Sequence, residues 1–124
     1  MITAKILIVE DEPAIADNLA ALLTAKGHKA ATCCEGAEGV ERARKENFDL
    51  ILLDVMLPRM SGFDVCKMLR SDPKTTKIKI IMVTGLGRMG DVEEAFRAGA
   101  DDYLIKPFDS ARLFKKIEKV LATP

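Results

Sequence analysis

Three largely apolar runs mark out the chain, at residues 5–9, 50–53 and 78–83, in which Lys5 and Lys79 are the only polar residues. Runs of this length without polar alternation are typical of strands buried on both faces, as in a parallel sheet covered by helices. A weaker apolar segment at residues 28–32 and a short one at 103–105 bring the number of predicted strands to five. All five strands are therefore expected to belong to one sheet.

A helical pattern of apolar residues follows each predicted strand. The first helix begins at Pro13, carries Leu19 and Leu23 on one face, and ends at Gly27, as expected for proline at a helix start and glycine after its end. The other four helices are predicted from Ala37, Val40 and Ala43; from a Ser61 cap with Phe63, Cys66 and Leu69; from Val92, Ala95 and Phe96, closed by Gly99; and from an Asp109 cap with Leu113, Ile117, Val120 and Leu121.

Strands and helices thus alternate five times along 124 residues. This alternation predicts an α/β fold: a doubly wound, five-stranded parallel sheet with helices on both faces and right-handed crossovers. The length suits one domain with its own core, covering residues 1–124. The sequence contains no internal repeat and no low-complexity tract.

Composition narrows the classes of partner. Lys and Arg number 19 and so do Asp and Glu, which leaves a formal net charge of zero and gives no charge-based reason to expect direct binding to nucleic acid or to a membrane surface. No apolar run approaches the ~20 residues of a membrane helix, and no signal segment precedes the first strand. We therefore expect a cytoplasmic protein whose three cysteines stay reduced.

Polar residues follow the strong strands where each one ends. Glu10 and Asp11 come after the first, Asp54 after the third, Thr84 after the fourth and Lys106 after the fifth. Because parallel strands end along the same edge of their sheet, where ligands of such folds bind, these side chains are expected to meet there. A single acid after a strand is usually a helix cap, and the neighbouring glutamate, residue 12, is interpreted that way.

The convergence of three acids and one lysine predicts a site for a divalent cation. Two like charges ~4 Å apart repel by about 4 kcal/mol at an effective dielectric of 20. Oxygen ligands that are few and open to solvent suit Mg²⁺, for which Mn²⁺ could substitute. Phosphoryl transfer needs such a set of charges, and a carboxylate can itself be the nucleophile and carry an aspartyl phosphate.

Four motifs together carry a resemblance to a known family. They are Ile-Leu-Ile-Val-Glu10-Asp11-Glu-Pro, Leu-Leu-Asp54-Val-Met-Leu-Pro58-Arg-Met-Ser-Gly62, Val-Thr84-Gly and Gly-Ala-Asp-Asp-Tyr103-Leu-Ile-Lys106-Pro107-Phe. In this order and spacing the whole chain resembles the receiver domains of bacterial two-component response regulators, typified by the chemotaxis receiver. The resemblance implies the flavodoxin-like (βα)5 fold with strand order 2-1-3-4-5.

The resemblance also implies residue roles at the acidic edge. Asp54 would be the phosphoacceptor, and Lys106 would bind a phosphoryl oxygen. Mg²⁺ would be ligated by Asp11, by Asp54 and by the backbone carbonyl of Met56, with Glu10 acting through water; no organic cofactor is implied.

Two further residues would report the phosphoryl group. Thr84 would move in to hydrogen-bond it and Tyr103 would change rotamer with it. The family further implies slow autodephosphorylation and a cis bond between Lys106 and Pro107. In this sense the domain would be a regulatory switch that catalyses its own phosphoryl transfer, and not an enzyme with a separate substrate.

Partners follow from the same resemblance. The phosphodonor would be a sensor histidine kinase or a histidine phosphotransfer protein. The fourth helix, fifth strand and fifth helix would form the readout face, which would bind a downstream protein or a second copy of the chain. That face carries the charged residues Asp91, Glu93, Glu94, Asp101, Asp102, Arg97, Arg112 and Lys116. On the last helix, Lys115, Lys116 and Lys119 are expected to form a solvated basic face.

Several other interpretations compete with this one. No output domain follows Pro124, so the chain is expected to be a stand-alone receiver or the receiver of a longer DNA-binding regulator. A phosphohydrolase with an aspartate nucleophile would need a second aspartate where Met56 stands. A phosphate-independent scaffold would not need the full set of acids, hydroxyl and lysine. Residues 85–90 match Gly-x-Gly-x-x-Gly but follow the fourth strand, which favours a mobile loop over a dinucleotide site.

Overall fold

The computed structural model describes residues 3–85 and 89–123. Strands and helices alternate throughout: β1 (Lys5–Val9), α1 (Pro13–Ala25), β2 (Lys29–Cys33), α2 (Gly36–Lys45), β3 (Leu50–Asp54), α3 (Gly62–Ser71), β4 (Lys79–Thr84), α4 (Met89–Ala98), β5 (Asp102–Ile105) and α5 (Ser110–Ala122). The Gly-x-Gly-x-x-Gly segment includes Leu86, Gly87 and Arg88, which lie outside the described residues, so its interpretation stays a prediction.

The five strands form one parallel sheet in the order β2-β1-β3-β4-β5. The predicted fold class and strand order are confirmed. β3 lies in the centre of the sheet, and all five of its residues, including Asp54, are buried. The residue that ends β3 is therefore held by the strand with the least access to solvent.

Two separate layers of apolar side chains explain why the strand sequences show no alternation. On one face Leu7 and Val9 pack with residues from α2, α3 and α4. On the other face Ile6 and Ile8 pack with residues from α1 and α5. Since successive side chains of a strand point to opposite faces, a sheet covered on both sides requires apolar residues at every position.

Helix starts agree with the sequence in two places and differ in a third. The Ser61 hydroxyl accepts a hydrogen bond from the Asp64 backbone N–H at 3.2 Å, and the Asp109 carboxylate accepts one from the Arg112 N–H at 2.8 Å. Glu12 occupies the cap position of α1, but its side chain makes no capping hydrogen bond. The capping role predicted for this glutamate is wrong, since the side chains that cap helix starts are the shorter ones of Ser, Thr, Asp and Asn.

The readout face is less polar and less solvated than the sequence suggests. Phe96 on α4 is 47% exposed, whereas Asp102 at the start of β5 is only 5% exposed. Lys116 on α5 pairs with Asp102, with 2.9 Å between its Nζ and Oδ1. The predicted solvated face of α5 is therefore wrong at Lys116, which is drawn to the buried carboxylate.

Membrane insertion by a helix has no support within residues 3–85 and 89–123. None of the helices there combines the length and the apolar character that crossing a bilayer requires.

Candidate functional site

Three carboxylates converge at the carboxyl edge of the sheet. Glu10 and Asp11 follow β1, and Asp54 ends the neighbouring β3. Each offers an oxygen atom, and these three atoms all lie within 4.8 Å of one another. Glu10 and Asp54 are 4% and 6% exposed, so the sheet edge holds two buried acids and one exposed acid.

Lys106 provides the positive charge at this edge. Its Nζ lies 3.1 Å from Glu10 Oε1 and 3.6 Å from Asp54 Oδ2. The peptide bond from Lys106 to Pro107 is cis, as the resemblance implies. The Lys106 backbone N–H donates to the Thr84 carbonyl at 2.8 Å, which fixes the lysine beside the end of β4.

The direct contact between Lys106 and Glu10 was not anticipated from the sequence, which assigned Glu10 a role through water at a metal. Their sequence separation of 96 residues hides this contact from any local pattern. Glu10 also accepts a hydrogen bond from the Glu12 backbone N–H at 3.1 Å. These two interactions orient the Glu10 carboxylate toward the site.

The Asp54 carboxylate is electrostatically destabilised. Burial, followed by the negative charge of Glu10, raises its pKa from 3.8 to about 6, while Lys106 and a hydrogen bond from the Met56 backbone N–H act in the opposite direction. That N–H lies 3.2 Å from Asp54 Oδ1. Burial lowers the pKa of Lys106, but the Asp54 and Glu10 carboxylates outweigh it and leave that pKa raised. The ionised form of Asp54 therefore lowers the stability of the folded state.

Gly62, at the start of α3, lets the helix approach the backbone of Asp54. A Cβ atom on Gly62 would lie 2.2 Å from the Asp54 carbonyl oxygen and 2.9 Å from the Val55 Cα. The Gly62 N–H donates to the Val55 carbonyl at 2.9 Å. Because both clashing atoms belong to the backbone, no side-chain movement could relieve them, and the glycine fixes the chain that leaves the site.

Thr84 is buried at the end of β4, and its hydroxyl donates to the adjacent Gly85 carbonyl at 3.1 Å. β4 pairs with β3 through Val83 and Asp54, so Thr84 lies one residue beyond the level of the acceptor. The Met56 side chain is 60% exposed beside the site. The roles predicted for Thr84 and for the Met56 carbonyl remain predictions.

Tyr103 lies in the edge strand β5, away from the acid cluster. Its ring meets the Phe96 ring edge-on, with 5.9 Å between centroids, and the Lys116 Nζ lies 4.3 Å from its centroid. The sequence places Tyr103 three residues before Lys106 but predicts neither contact, because each depends on how a helix packs against this edge strand. Its switch role also remains a prediction.

The donor set fits a hard divalent cation. Three carboxylates can contribute oxygen atoms, and two of them are buried, so a cation would offset the repulsion that Lys106 relieves only in part. Mg²⁺ is held in proteins by one or two carboxylates together with water and phosphate oxygens. Of the candidate ligands named from the sequence, the structure therefore brings together Glu10, Asp11 and Asp54.

The model of the response regulator receiver domain matches residues 6–118 of this chain. The Pseudomonas aeruginosa protein PilH is 40% identical over 119 residues, covering 96% of this chain and 98% of PilH. The DNA-binding dual master transcriptional regulator RpaA of Synechocystis is 40% identical over 94% of this chain, but the chain spans only 48% of RpaA. The chain is thus about half the length of one relative and nearly the full length of the other.

Solved structures agree with the sequence relatives. The receiver domain of the Pseudomonas aeruginosa sensor histidine kinase PA1611, which has a magnesium ion coordinated in its active-site cleft, superposes with a TM-score of 0.90 at 30% identity. The match covers 98% of this chain and 100% of that domain. With its fold, its acidic edge and a family match over nearly all of its length, this chain belongs to the response regulator receiver domain family, whose members are regulatory signalling domains.

Proposed function

We propose that this chain is a phosphorylation-dependent switch of a two-component phosphorelay in which Asp54 accepts the phosphoryl group. The observation that carries the proposal is the setting of Asp54. It is a buried carboxylate at the end of the central strand, within 4.8 Å of two further acids and 3.6 Å from the ammonium of Lys106. The switch is assigned to one domain, residues 1–124.

The chemistry proposed for Asp54 is nucleophilic attack on phosphorus. A carboxylate oxygen forms the new P–O bond while the bond from phosphorus to the donor breaks, and its electron pair leaves with the imidazole of a phosphohistidine or with acetate. The attacking carboxylate must be ionised, and a pKa of about 6 leaves roughly ten ionised molecules for each protonated one at pH 7. The raised pKa is compatible with a nucleophile at neutral pH.

Lys106 is proposed to exchange one oxygen partner for another. Without a phosphoryl group its ammonium lies between Glu10 and Asp54. Phosphorylation of Asp54 places new anionic oxygens beside this ammonium, and a charge-assisted hydrogen bond to one of them would stabilise both the transition state and the product. The same argument explains why a positive group is held here, directly after the end of β5.

A divalent cation, Mg²⁺ in our proposal, would be held by Asp11, Asp54 and the Met56 carbonyl, with Glu10 through water. When bound, it supplies positive charge against the phosphoryl oxygens. The carboxylates of this chain keep the charge of the site negative enough to retain a cation, while the apolar strands below them exclude water.

Thr84 and Tyr103 are proposed to convey the state of Asp54. The Thr84 hydroxyl makes one local hydrogen bond, to the Gly85 carbonyl, which it can exchange for a stronger bond to an anionic phosphoryl oxygen. Movement of this buried residue would change the space next to β5. Tyr103 then changes rotamer and alters the face formed by α4, β5 and α5, because a switch acts by biasing two states through different contacts.

The proposed partners are a histidine kinase or histidine phosphotransfer protein as donor and a protein target or a second copy of the chain as reader. The two kinds of relative support different outputs. PilH is nearly the same length as this chain, whereas RpaA is about twice as long and is a DNA-binding regulator. We place the phosphorelay in the cytoplasm and assign no direct nucleic-acid contact to this domain.

Intact mass spectrometry after incubation with acetyl phosphate and Mg²⁺ tests the function. We expect one phosphoryl adduct on the wild type, none on Asp54→Asn, and none on the wild type in excess EDTA. Asp17→Asn, which removes an exposed carboxylate from α1, is the matched control and should retain the adduct. An adduct that persists in Asp54→Asn, or its absence with every donor although Mg²⁺ binds, would refute the proposal.

A further inference from the structure

A small network joins the three elements of the proposed readout face. The Tyr103 ring of β5 forms a T-shaped contact with the Phe96 ring of α4, and the Lys116 ammonium of α5 lies over its face. Lys116 is in turn paired with Asp102, the residue that precedes the tyrosine. The aromatic ring of a single residue therefore contacts both helices that flank it.

Asp102 organises the network through one oxygen atom. Its Oδ1 accepts a hydrogen bond from the Tyr103 backbone N–H at 2.8 Å and another from the Lys116 ammonium at 2.9 Å. The carboxylate is 5% exposed, and a buried charge needs a partner of opposite sign. Lys116 is thereby tied to the start of β5, with its ammonium 4.3 Å from the Tyr103 ring centroid.

The neighbouring lysine of α5 has a different environment. Lys119 lies 3.8 Å from Asp102 Oδ2, and its side chain is 75% exposed, compared with 23% for Lys116. Of these two lysines, Lys116 is the one whose ammonium lies over the Tyr103 ring. The pair therefore separates the effect of a positive charge near Asp102 from the effect of a cation on Tyr103.

We propose that Lys116 is a positioning residue that holds the Tyr103 ring in its unphosphorylated rotamer, and that Asp102 holds Lys116 in place for this purpose. A cation over an aromatic face is stabilised when the ring stays beneath it, so a change of rotamer by Tyr103 has to give up this contact. Removing Lys116 should shift the rotamer ratio by about two- to fivefold, the range expected for a cation–π contact that is partly open to solvent.

This inference rests on the proposed function, because that function includes the rotamer change of Tyr103 that Lys116 would oppose. It adds a point of control at the readout face. By linkage, whatever weakens the Lys116 contact favours the rotamer that phosphorylation selects, and phosphorylation must in turn weaken that contact. The strength of this contact would therefore help to set the fraction of the unphosphorylated domain in which Tyr103 adopts the rotamer of the phosphorylated state.

Tyr103 can be observed alone, since the chain contains one tyrosine and no tryptophan. In protein labelled with ¹³C and ¹⁵N, the three-bond couplings from the Tyr103 ring carbon to the backbone nitrogen and carbonyl report its χ1 rotamer directly. We expect couplings of one dominant rotamer in the wild type and averaged couplings in Lys116→Met. Lys116→Arg, which keeps a cation able to lie over the ring, should restore the wild-type values, and Lys119→Met should leave them unchanged.

Lys116→Met leaves a buried carboxylate without its main partner, so the double variant Asp102→Asn/Lys116→Met provides the same test without an unpaired charge. Wild-type couplings in either folded variant would overturn the inference, and so would an equal change in Lys119→Met. The mass measurement of the Asp54 adduct is made on the same samples. A missing adduct would count against the proposed function, whereas unchanged couplings with a normal adduct would count only against Lys116.

Discussion

Replacing Asp54 with asparagine should stabilise the metal-free protein, because it removes a charge that the fold holds unfavourably. The folded state raises the pKa of Asp54 above its ordinary value of 3.8, to about 6. Between these two values the folded state binds more protons at this site than the unfolded state does. The contribution of Asp54 to stability therefore falls as pH rises through this window and stays at its lowest level above it.

The size of the effect follows from the displaced pKa. Each unit by which the pKa is shifted corresponds to about 1.4 kcal/mol. The shift from 3.8 to about 6 therefore lowers the free energy of unfolding at pH 8 by an amount on the order of 3 kcal/mol. Asp54 is 6% exposed, and solvent screening reduces this figure little. The asparagine oxygen can still accept the Met56 N–H, so the gain should survive as about 2–3 kcal/mol.

Urea denaturation followed by circular dichroism, in EDTA at pH values from 4 to 8, measures this effect. The stability difference between Asp54→Asn and the wild type should be small at pH 4, grow through pH 6 and level off above pH 7. Asp17→Asn, at an exposed position of α1, should stay within about 0.5 kcal/mol of the wild type throughout. A pH-independent difference, or a wild type more stable than Asp54→Asn at pH 8, would refute the electrostatic reasoning.

Other predictions concern the surroundings of the acceptor and the far edge of the sheet. Gly62→Ala should lower the free energy of unfolding by about 1–3 kcal/mol, since its Cβ would meet the Asp54 carbonyl; unchanged urea stability would contradict this. Arg70→Ala should lower the free energy of unfolding by about 3 kcal/mol and speed amide exchange at Gly99 and Asp101, because the Arg70 guanidinium donates to the Gly99 carbonyl and the Asp101 carboxylate. Arg70→Lys should recover part of this loss. Mg²⁺ at 100 times its Kd for the wild type should stabilise the wild type by about 2.7 kcal/mol, and the same concentration should stabilise Asp11→Asn much less. Thermal denaturation measures both gains, and equal gains would exclude Asp11 as a ligand.

The parts of the fold predicted from sequence are those set by burial on two faces. The runs that became β1, β3 and β4 contain the unbroken apolar stretches 6–9, 50–53 and 80–83 because helices cover both sides of the sheet. The five-strand order then followed from the family resemblance, whereas the convergence of Glu10, Asp54 and Lys106 did not depend on it. Strand polarity alone, which is a short-range property, was enough to place these side chains along one edge.

The contacts that sequence did not predict depend on how elements pack together, even where those elements follow one another along the chain. Asp102 was placed among surface charges because its neighbours are polar, but it begins a strand whose alternate residues are buried. Its partner Lys116 looked like one of several surface lysines of α5. A buried polar pair of this kind has no local signature, since it depends on how a helix packs against an edge strand.

The distribution of the site along the chain has a consequence for folding. Glu10 and Asp54 can come together as soon as β1 pairs with β3, but Lys106 directly follows the last strand, 96 residues after Glu10. A partly folded chain without β5 would hold two buried acids with no lysine between them, and such a chain is penalised by their repulsion. A stable intermediate made of the first half of the molecule is therefore disfavoured, so the domain should fold as one cooperative unit unless a cation binds early.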